Sequence, residues 1–413
     1  MVKDLTYKYL SVWWETKAKL NMTIKTIPFT EKLENERKIE GFRKELFKAL
    51  KKVPKDAIEE EYLRKEILQL IKTMESEISN YEESIIDFFI DNGYGDITKE
   101  FIDEVKRFDS QMGVYDIFQA IRNVWIMNSV QILYDMEVEL TSSIFAYSML
   151  YPYSDNYLDD ANISIEEKIN FNERFKKWLL GEEIKPLNNM EQHICTLVKS
   201  IEKEFPRDIY PKVFESLLAI HQAQEQSLIQ QREKTLPFEK DIIGITFEKG
   251  GTSVLADGYL VRGVLNIDEA EFMFGYGVFL QIIDDLQDID EDCGNKHMTM
   301  FSQIGDRYYL DRLINKLFNF INEFFNDELV FMSEKARKLK KVIKDCSNIM
   351  IFEAISKNKN RFSKKYIKEI ESYSMVRFSY FKKIKRKFQK TFSQEDIIRI
   401  CSILSKIELN INN

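Results

Sequence analysis

Helix breakers are scarce in this chain, with 14 glycines and 7 prolines among 413 residues. Glycine and proline are the residues that end helices and turn chains. A sequence this poor in both, with little sign of strand, is committed to long helices, and the expected fold class is all-α. Apolar residues make up 44% of the chain, enough for a large folded core. Phe (30) and Tyr (19) are abundant. They serve either as ordinary core or as the lining of a greasy cavity whose π faces stabilise cations.

The rest of the composition narrows the chemistry. Cys195, Cys293, Cys346 and Cys401 show no CxxC pairing, which argues against a disulfide framework or a zinc knuckle. Three histidines argue against a His-rich metal site. The ligands on offer are hard carboxylate oxygens. No signal peptide is visible, and no window approaches the apolar length of a membrane span. A cytoplasmic location is therefore expected.

Three segments emerge from the chain's character. Residues 1–100 read as an N-terminal helical extension with long polar faces and a turn at Asp91–Asp96. Residues 101–150 carry long apolar periodicity and open the segment 101–350, read as the core. Residues 351–413 read as a basic helical extension packed on that core. Within the core, Ser164 is placed to cap a helix with Glu167 at its N3 position, and Phe205–Asp208 marks a break. A further helix is expected to stop near Gly263, with another starting after Asn266.

Two aspartate clusters carry the chemistry. The first is Asp155-Asn156-Tyr157-Leu158-Asp159-Asp160, and the second is Asp284-Asp285-Leu286-Gln287-Asp288, with Asp290 and Asp292 beyond it. Residues four apart share a helix face, so Asp155 and Asp159 point together, with Asp160 at the edge of that face. Asp284, Asp288 and Asp292 form a second ladder, with Asp285 beside it and Gln281 one turn earlier. The run Phe274–Ile283 is otherwise apolar, so these acids terminate a buried helix. Close carboxylates repel one another, and a divalent cation relieves that cost. Two facing walls of this kind can hold Mg²⁺ and, through it, a diphosphate.

The segment Phe279–Asp288 resembles the second aspartate-rich motif of the class I isoprenoid synthases, and Lys249-Gly250-Gly251-Thr252-Ser253 resembles the lysine segment of their prenyl-transferring branch. Tyr151–Asp160 resembles the first motif of the bacterial large-terpene synthases, the tetraprenyl-β-curcumene synthase-like group. The likeness spans roughly residues 110–310. It implies a helical barrel around a hydrophobic cavity with three Mg²⁺ at its mouth, flanked by helical N- and C-terminal extensions. It also implies a carbon–oxygen lyase that ionises a linear prenyl diphosphate, in the C25 to C35 range, and releases diphosphate. Asp155, Asp159 and Asp160 match the first metal-binding carboxylates. On the second wall, Asp284, Asp285 and Asp288 fit the prenyltransferase pattern, whereas Asp284, Asp288 and Asp292 fit the spacing of the cyclase metal triad. The alternatives are a trans-isoprenyl diphosphate synthase that consumes isopentenyl diphosphate and, from another class, a non-catalytic membrane-associated scaffold.

Other residues are candidates around those walls. Lys249, in a Gly-rich stretch read as a break, is placed to reach phosphate oxygens. Arg307, before Tyr308 and Tyr309, resembles the diphosphate-sensing Arg–Tyr pair of terpene cyclases. Arg122 lies in an apolar helix and needs a partner, either diphosphate or a protein carboxylate. Phe145, Tyr151, His221, Gln224, Phe274 and Gln281 are candidate cavity-lining residues.

Net charge is −8, unevenly spread. Residues 361–390 hold eleven Lys or Arg against two Glu, a local +9 that leaves −17 for the rest. That segment is either a solvated helical face or a contact for an anionic membrane. No nucleic-acid partner is expected, and the assembly is expected to be a monomer or homodimer.

Overall fold

A computed structural model describes residues 1–22, 24–78, 84–160, 162–231, 240–304, 308–326, 330–393, 396–397 and 399–400. Among them every regular element is helical. In chain order the α-helices are α1 (Val2–Glu15), α2 (Phe29–Leu50), α3 (Ala57–Ile78), α4 (Ile85–Asp91), α5 (Tyr94–Phe108) and α6 (Val114–Leu133). They continue with α7 (Ser142–Asp159), α8 (Ile165–Leu179), α9 (Asn189–Glu204), α10 (Pro211–Ser227), α11 (Ile242–Arg262) and α12 (Ile267–Gln287). The last are α13 (Ile289–Asn295), α14 (Asp311–Phe325), α15 (Glu334–Lys357), α16 (Lys364–Glu371) and α17 (Phe378–Thr391).

The local signals act where the sequence places them. Ser164 and Glu167 form a reciprocal capping box at the start of α8, and Asn266 and Glu269 form another at α12. Phe205 comes just after the end of α9, and Pro211 is the first residue of α10. Gly263 closes α11 at φ 74°, a left-handed conformation that costs glycine little.

Two local expectations are corrected. Lys249-Gly250-Gly251 is no break: it lies in the middle of the continuous helix α11. Its glycines are needed for approach, not for turning. A Cβ on Gly277 of α12 would lie 2.0 Å from the Gly250 carbonyl oxygen, and one on Gly250 would lie 2.5 Å from that of Gly277. Backbone therefore meets backbone where α11 crosses α12. The second correction concerns the ladder Asp284–Asp288–Asp292, which does not run along one helix. α12 ends at Gln287, Asp288 leaves helical geometry at φ −100°, ψ 11°, and Asp292 sits on α13.

Contacts divide the chain into two compact units. The first contains Met1–Lys17, Phe101–Gly305 and Asn326–Ser333; the second contains Ala18–Glu100, Asp306–Phe325 and Glu334–Asn413. These units cut across the segments 1–100, 101–350 and 351–413. Helix α1 belongs to the first unit because its buried stripe Leu5–Tyr9–Trp13 packs inward, with Tyr9 stacked on Phe274 and Trp13 edge-on to Phe247. In the second unit, Leu46, Leu50, Leu63, Ile67, Ile71 and Phe392 form an apolar cluster between α2 and α3. Glu36 of α2 binds the Arg377 guanidinium at 2.6 Å, and Lys387 of α17 pairs with Glu40. Among the described residues no helix is long and apolar enough to cross a membrane.

Candidate active site

Six helices of the first unit surround a cavity of about 90 Å³. Five contribute residues at helical spacing and the sixth a single side chain. Helix α7 gives Tyr147, Leu150, Tyr151 and Ser154; α10 gives Leu217, Ile220, His221 and Gln224; α11 gives Lys249 and Ser253. Helix α12 adds Gln281 and Asp284, α8 adds Phe175 and Leu179, and α6 adds Asn123. Apolar side chains thus share one enclosure with a carboxylate, an ammonium and several hydrogen-bonding groups.

The two carboxylate walls approach closely enough to feel each other. Burial pushes the Asp284 carboxyl above its ordinary range, the positive charges of Arg122 and Lys249 oppose that shift, and the charges of Asp155 and Asp292 add to it. Tyr151 lies between the walls. The charge of Asp155 holds the Tyr151 pKa well up, and burial and Asp284 add to the effect. Asp155, Tyr151, Asp284, Arg122, Lys249 and Asp292 therefore form one electrostatic group.

Asp285 has a different setting. It is buried, accepting from Gln281 Nε2 at 2.9 Å and from Thr246 Oγ1 at 3.3 Å. Burial pushes its carboxyl up to about 7 against the Gln281 hydrogen bond, with Asp284 and Asp292 reinforcing the shift. Its side chain is engaged between α11 and α12.

The remaining candidates fall into several settings. Asp159 ends α7, and its side chain lies outside the described residues. Asp160 is exposed and accepts from the Asn162 backbone N–H at 2.8 Å, holding the turn after α7. Asp288 is the C-cap of α12, its N–H bonded to the Asp284 carbonyl. Asp292 accepts from Thr299 Oγ1 at 3.2 Å and lies 3.5 Å from His297 Nδ1. Arg122 is solvent-exposed, so burial does not compel it to pair, yet it lies within the field of Asp284 and Tyr151. Arg307 lies outside the described residues. Of the six cavity candidates, Tyr151, His221, Gln224 and Gln281 line the cavity. Phe145 packs on Phe101 and Phe108, and Phe274 on Tyr9, both in the core.

Sequence reasoning missed Asn123, Tyr147, Ser253 and Asp257. The signal was the row Lys249–Ser253–Asp257 on α11, matched by Tyr147–Tyr151–Asp155 on α7. Asp257 is fully buried. Its Oδ1 accepts from Asn123 Nδ2 at 3.3 Å, and its Oδ2 has no hydrogen-bond partner among the described residues. Burial pushes its carboxyl well up.

His221 is held in one tautomer. Its Nε2 lies 3.1 Å from the Asn172 carbonyl oxygen. A carbonyl only accepts, so Nε2 carries the proton. Burial lowers the imidazole pKa, which favours the neutral ring with its lone pair on Nδ1. Glu225 Oε2 lies 3.9 Å from that nitrogen.

Among the described residues, no group of three or more His, Cys, Asp or Glu is disposed to hold a metal ion. The donors at the walls are hard carboxylate oxygens in the field of Asp284. Mg²⁺ suits such donors and is commonly bound by one or two carboxylates together with substrate phosphates and water. Asp155 and Asp284, which lie within each other's field, are the carboxylates such a mode would draw on.

No family model, curated protein or solved structure matches the chain.

Proposed function

We propose that this chain is a Mg²⁺-dependent class I terpene synthase. It would ionise a linear prenyl diphosphate and convert the allylic cation to a terpene, with the helices of the first unit arranged as the barrel of that class. The observation that carries this reading is the cavity itself: Asp284, Lys249 and Gln281 share it with Leu150, Phe175, Leu179, Leu217 and Ile220. A leaving group that is multiply charged and a hydrocarbon chain call for that combination.

Asp155 and Asp284 would hold Mg²⁺ together with the diphosphate, and that ion would supply charge neutralisation for the leaving group. Lys249 supplies a fixed positive charge for phosphate oxygens, and Arg122 a second from the solvent side. The Tyr151 hydroxyl, kept protonated by the acids around it, is a donor for the same oxygens. The apolar wall keeps water from the allylic cation. His221 takes the final proton at Nδ1: a C–H bond next to the cationic carbon breaks, its electrons form the new double bond, and Glu225 steadies the imidazolium. Tyr147 and Tyr151 cannot serve, because their raised pKa values keep them protonated.

The resemblance points to a C25 to C35 substrate. Pockets that enclose drug-sized ligands hold about 300–1,000 Å³, against about 90 Å³ here. A long chain therefore requires the walls to part around it.

The test is incubation with Mg²⁺ and prenyl diphosphates of graded length, with and without isopentenyl diphosphate, reading diphosphate release and products by GC–MS. A hydrocarbon or terpene alcohol formed without isopentenyl diphosphate and lost in Asp284→Asn supports the synthase. Longer prenyl alcohols after phosphatase, seen only with isopentenyl diphosphate, would assign the elongating reaction, which the spacing Asp284-Asp285-x-x-Asp288 also fits. No diphosphate release from any substrate would leave a non-catalytic scaffold. In His221→Gln, diphosphate release should persist while alkene gives way to alcohols and displaced double bonds. An unchanged product profile would remove His221 from the proton step.

A further inference from the structure

The charge asymmetry of the chain is concentrated on one surface of the second unit. Helix α17 (Phe378–Thr391) holds six Lys or Arg and no Asp or Glu. Its inner side is committed to packing: Phe378 and Tyr380 are buried, Phe378 faces Phe352 of α15, and the Tyr380 hydroxyl donates to the Glu36 carbonyl at 3.0 Å. Two of the six cations are engaged in ion pairs, Lys387 with Glu40 and Lys385 with Glu353 at 3.1 Å. The other four, Lys382, Lys383, Arg386 and Lys390, are exposed. With Ser379 and Lys387 they line one shallow surface groove. The spacing of Lys382, Lys383, Arg386 and Lys390 puts them on a single helix face, a stripe about 12 Å long at about 1.5 Å per residue. Packing of the opposite side holds the stripe in place, so little ordering remains to be done when it meets a partner.

We propose that the outer face of α17 docks the protein on a bilayer containing anionic lipid. Charge complementarity chooses the occupant. Clusters of four to eight Lys or Arg on an amphipathic helix attract anionic headgroups. The stripe carries no exposed aromatic ring of the kind that stacks on nucleic-acid bases. It has a single arginine, so bidentate phosphate or base recognition contributes little. Phe378 and Tyr380 are buried in the unit and Phe381, Ile384 and Phe388 half-buried, so attachment is electrostatic and peripheral, without insertion. This inference stands independently of the catalytic reading.

The experiment uses the full chain with phosphatidylcholine vesicles, with and without phosphatidylserine, followed by sedimentation. Binding should require phosphatidylserine and fall steeply as salt rises from about 0.1 M to about 0.5 M. Each cation near an anionic surface is worth about fivefold, so Lys382→Gln, Lys383→Gln, Arg386→Gln and Lys390→Gln together should weaken binding by roughly several hundredfold. These side chains are exposed, so circular dichroism and Tm should not change. A second variant removes the same charge elsewhere in the unit: Lys44→Gln, Lys364→Gln, Lys365→Gln and Lys368→Gln. It should still bind nearly as well as the unaltered chain. Equal loss in both variants would mean that net charge acts and not this face, and would overturn the proposal. So would binding to phosphatidylcholine alone, or displacement from phosphatidylserine vesicles by equimolar duplex DNA.

Discussion

The two carboxylate walls are built to different standards. On α12, Asp284 is half-buried and Asp285 buried, Gln281 and Thr246 hold the latter, and the Gly250–Gly277 crossing locks the helix to α11. On α7, Asp155 is half-buried, Asp160 is exposed and occupied by its own turn, and Pro152 interrupts the backbone ladder three residues before Asp155. Tyr153 of this wall donates to Asp109 at 2.6 Å, and Tyr151 lies in the field of Asp155. The contrast teaches where a cation would do most. Burial makes negative charge costly on α12, so neutralisation there is worth more. The α7 wall is a more solvated partner that can adjust to what the first one binds.

That asymmetry can be broken by substitution. Asp284→Asn should lower diphosphate release by about 10³-fold, near 4 kcal/mol, and Asp155→Asn by nearer 10²-fold. Equal losses in a steady-state diphosphate assay would mean that the walls act as equivalents. Next in size is the rigidity of α12. Gly277→Ala places a methyl group against the Gly250 carbonyl and should cost about 3 kcal/mol or more, because backbone cannot move aside as a side chain can. Tyr153→Phe removes one hydroxyl from the α7 wall and should cost about 1 kcal/mol. Urea unfolding of both variants checks the ranking, and a Gly277→Ala chain as stable as the original would show that the crossing has slack.

The same contrast explains what could be read from the sequence. Caps and stops are local, so Ser164–Glu167, Asn266–Glu269 and Gly263 were legible. The acids were visible as two clusters in the sequence, and Asp155 and Asp284, one from each, lie within each other's field. The function of Gly250 and Gly277 was not, since a glycine for turning and a glycine for close approach look alike until the partner helix is known. The ladder through Asp292 failed because a helix end at Asp288 depends on how the chain packs beyond it, and Asp285 turned inward because α11 supplied Thr246. Asp257 was readable from the row Lys249–Ser253–Asp257, but Asn123 was not, since its partner Asp257 lies on a helix far away in the chain.

Metal binding sharpens the comparison. With only a carboxylate from each wall, Mg²⁺ should bind weakly alone and tightly with diphosphate, which supplies the remaining oxygens. Mg²⁺ together with inorganic diphosphate at about 100 times the dissociation constant should stabilise the protein by about 2.7 kcal/mol, with a much smaller shift for either alone. Asp284→Asn should abolish the combined shift, and Asp155→Asn should only reduce it. Full stabilisation by Mg²⁺ alone, in a thermal melt, would require a complete protein cage and contradict the division of labour between the walls.

A last comparison separates burial from function. Asp257 shares with Asp284 a carboxyl pushed up by desolvation, but its hydrogen-bond donor is Asn123 on α6 and no cation is near it among the groups that shift it. Between the ordinary aspartate pKa and its raised folded value, the unfolded chain releases a proton that the native protein keeps. The native state then binds more protons, so its stability is full below about pH 4 and falls as pH rises, by up to about 1.4 kcal/mol per pH unit. Asp257→Asn keeps an oxygen to accept from Asn123 and cannot ionise. It should flatten the decline in urea-derived stability between about pH 5 and pH 8, while diphosphate release stays within about twofold of the original. If Asp257→Asn instead lowers diphosphate release as Asp284→Asn does, a raised carboxyl anywhere around the cavity matters to the chemistry, and position on the α12 wall is not what distinguishes Asp284.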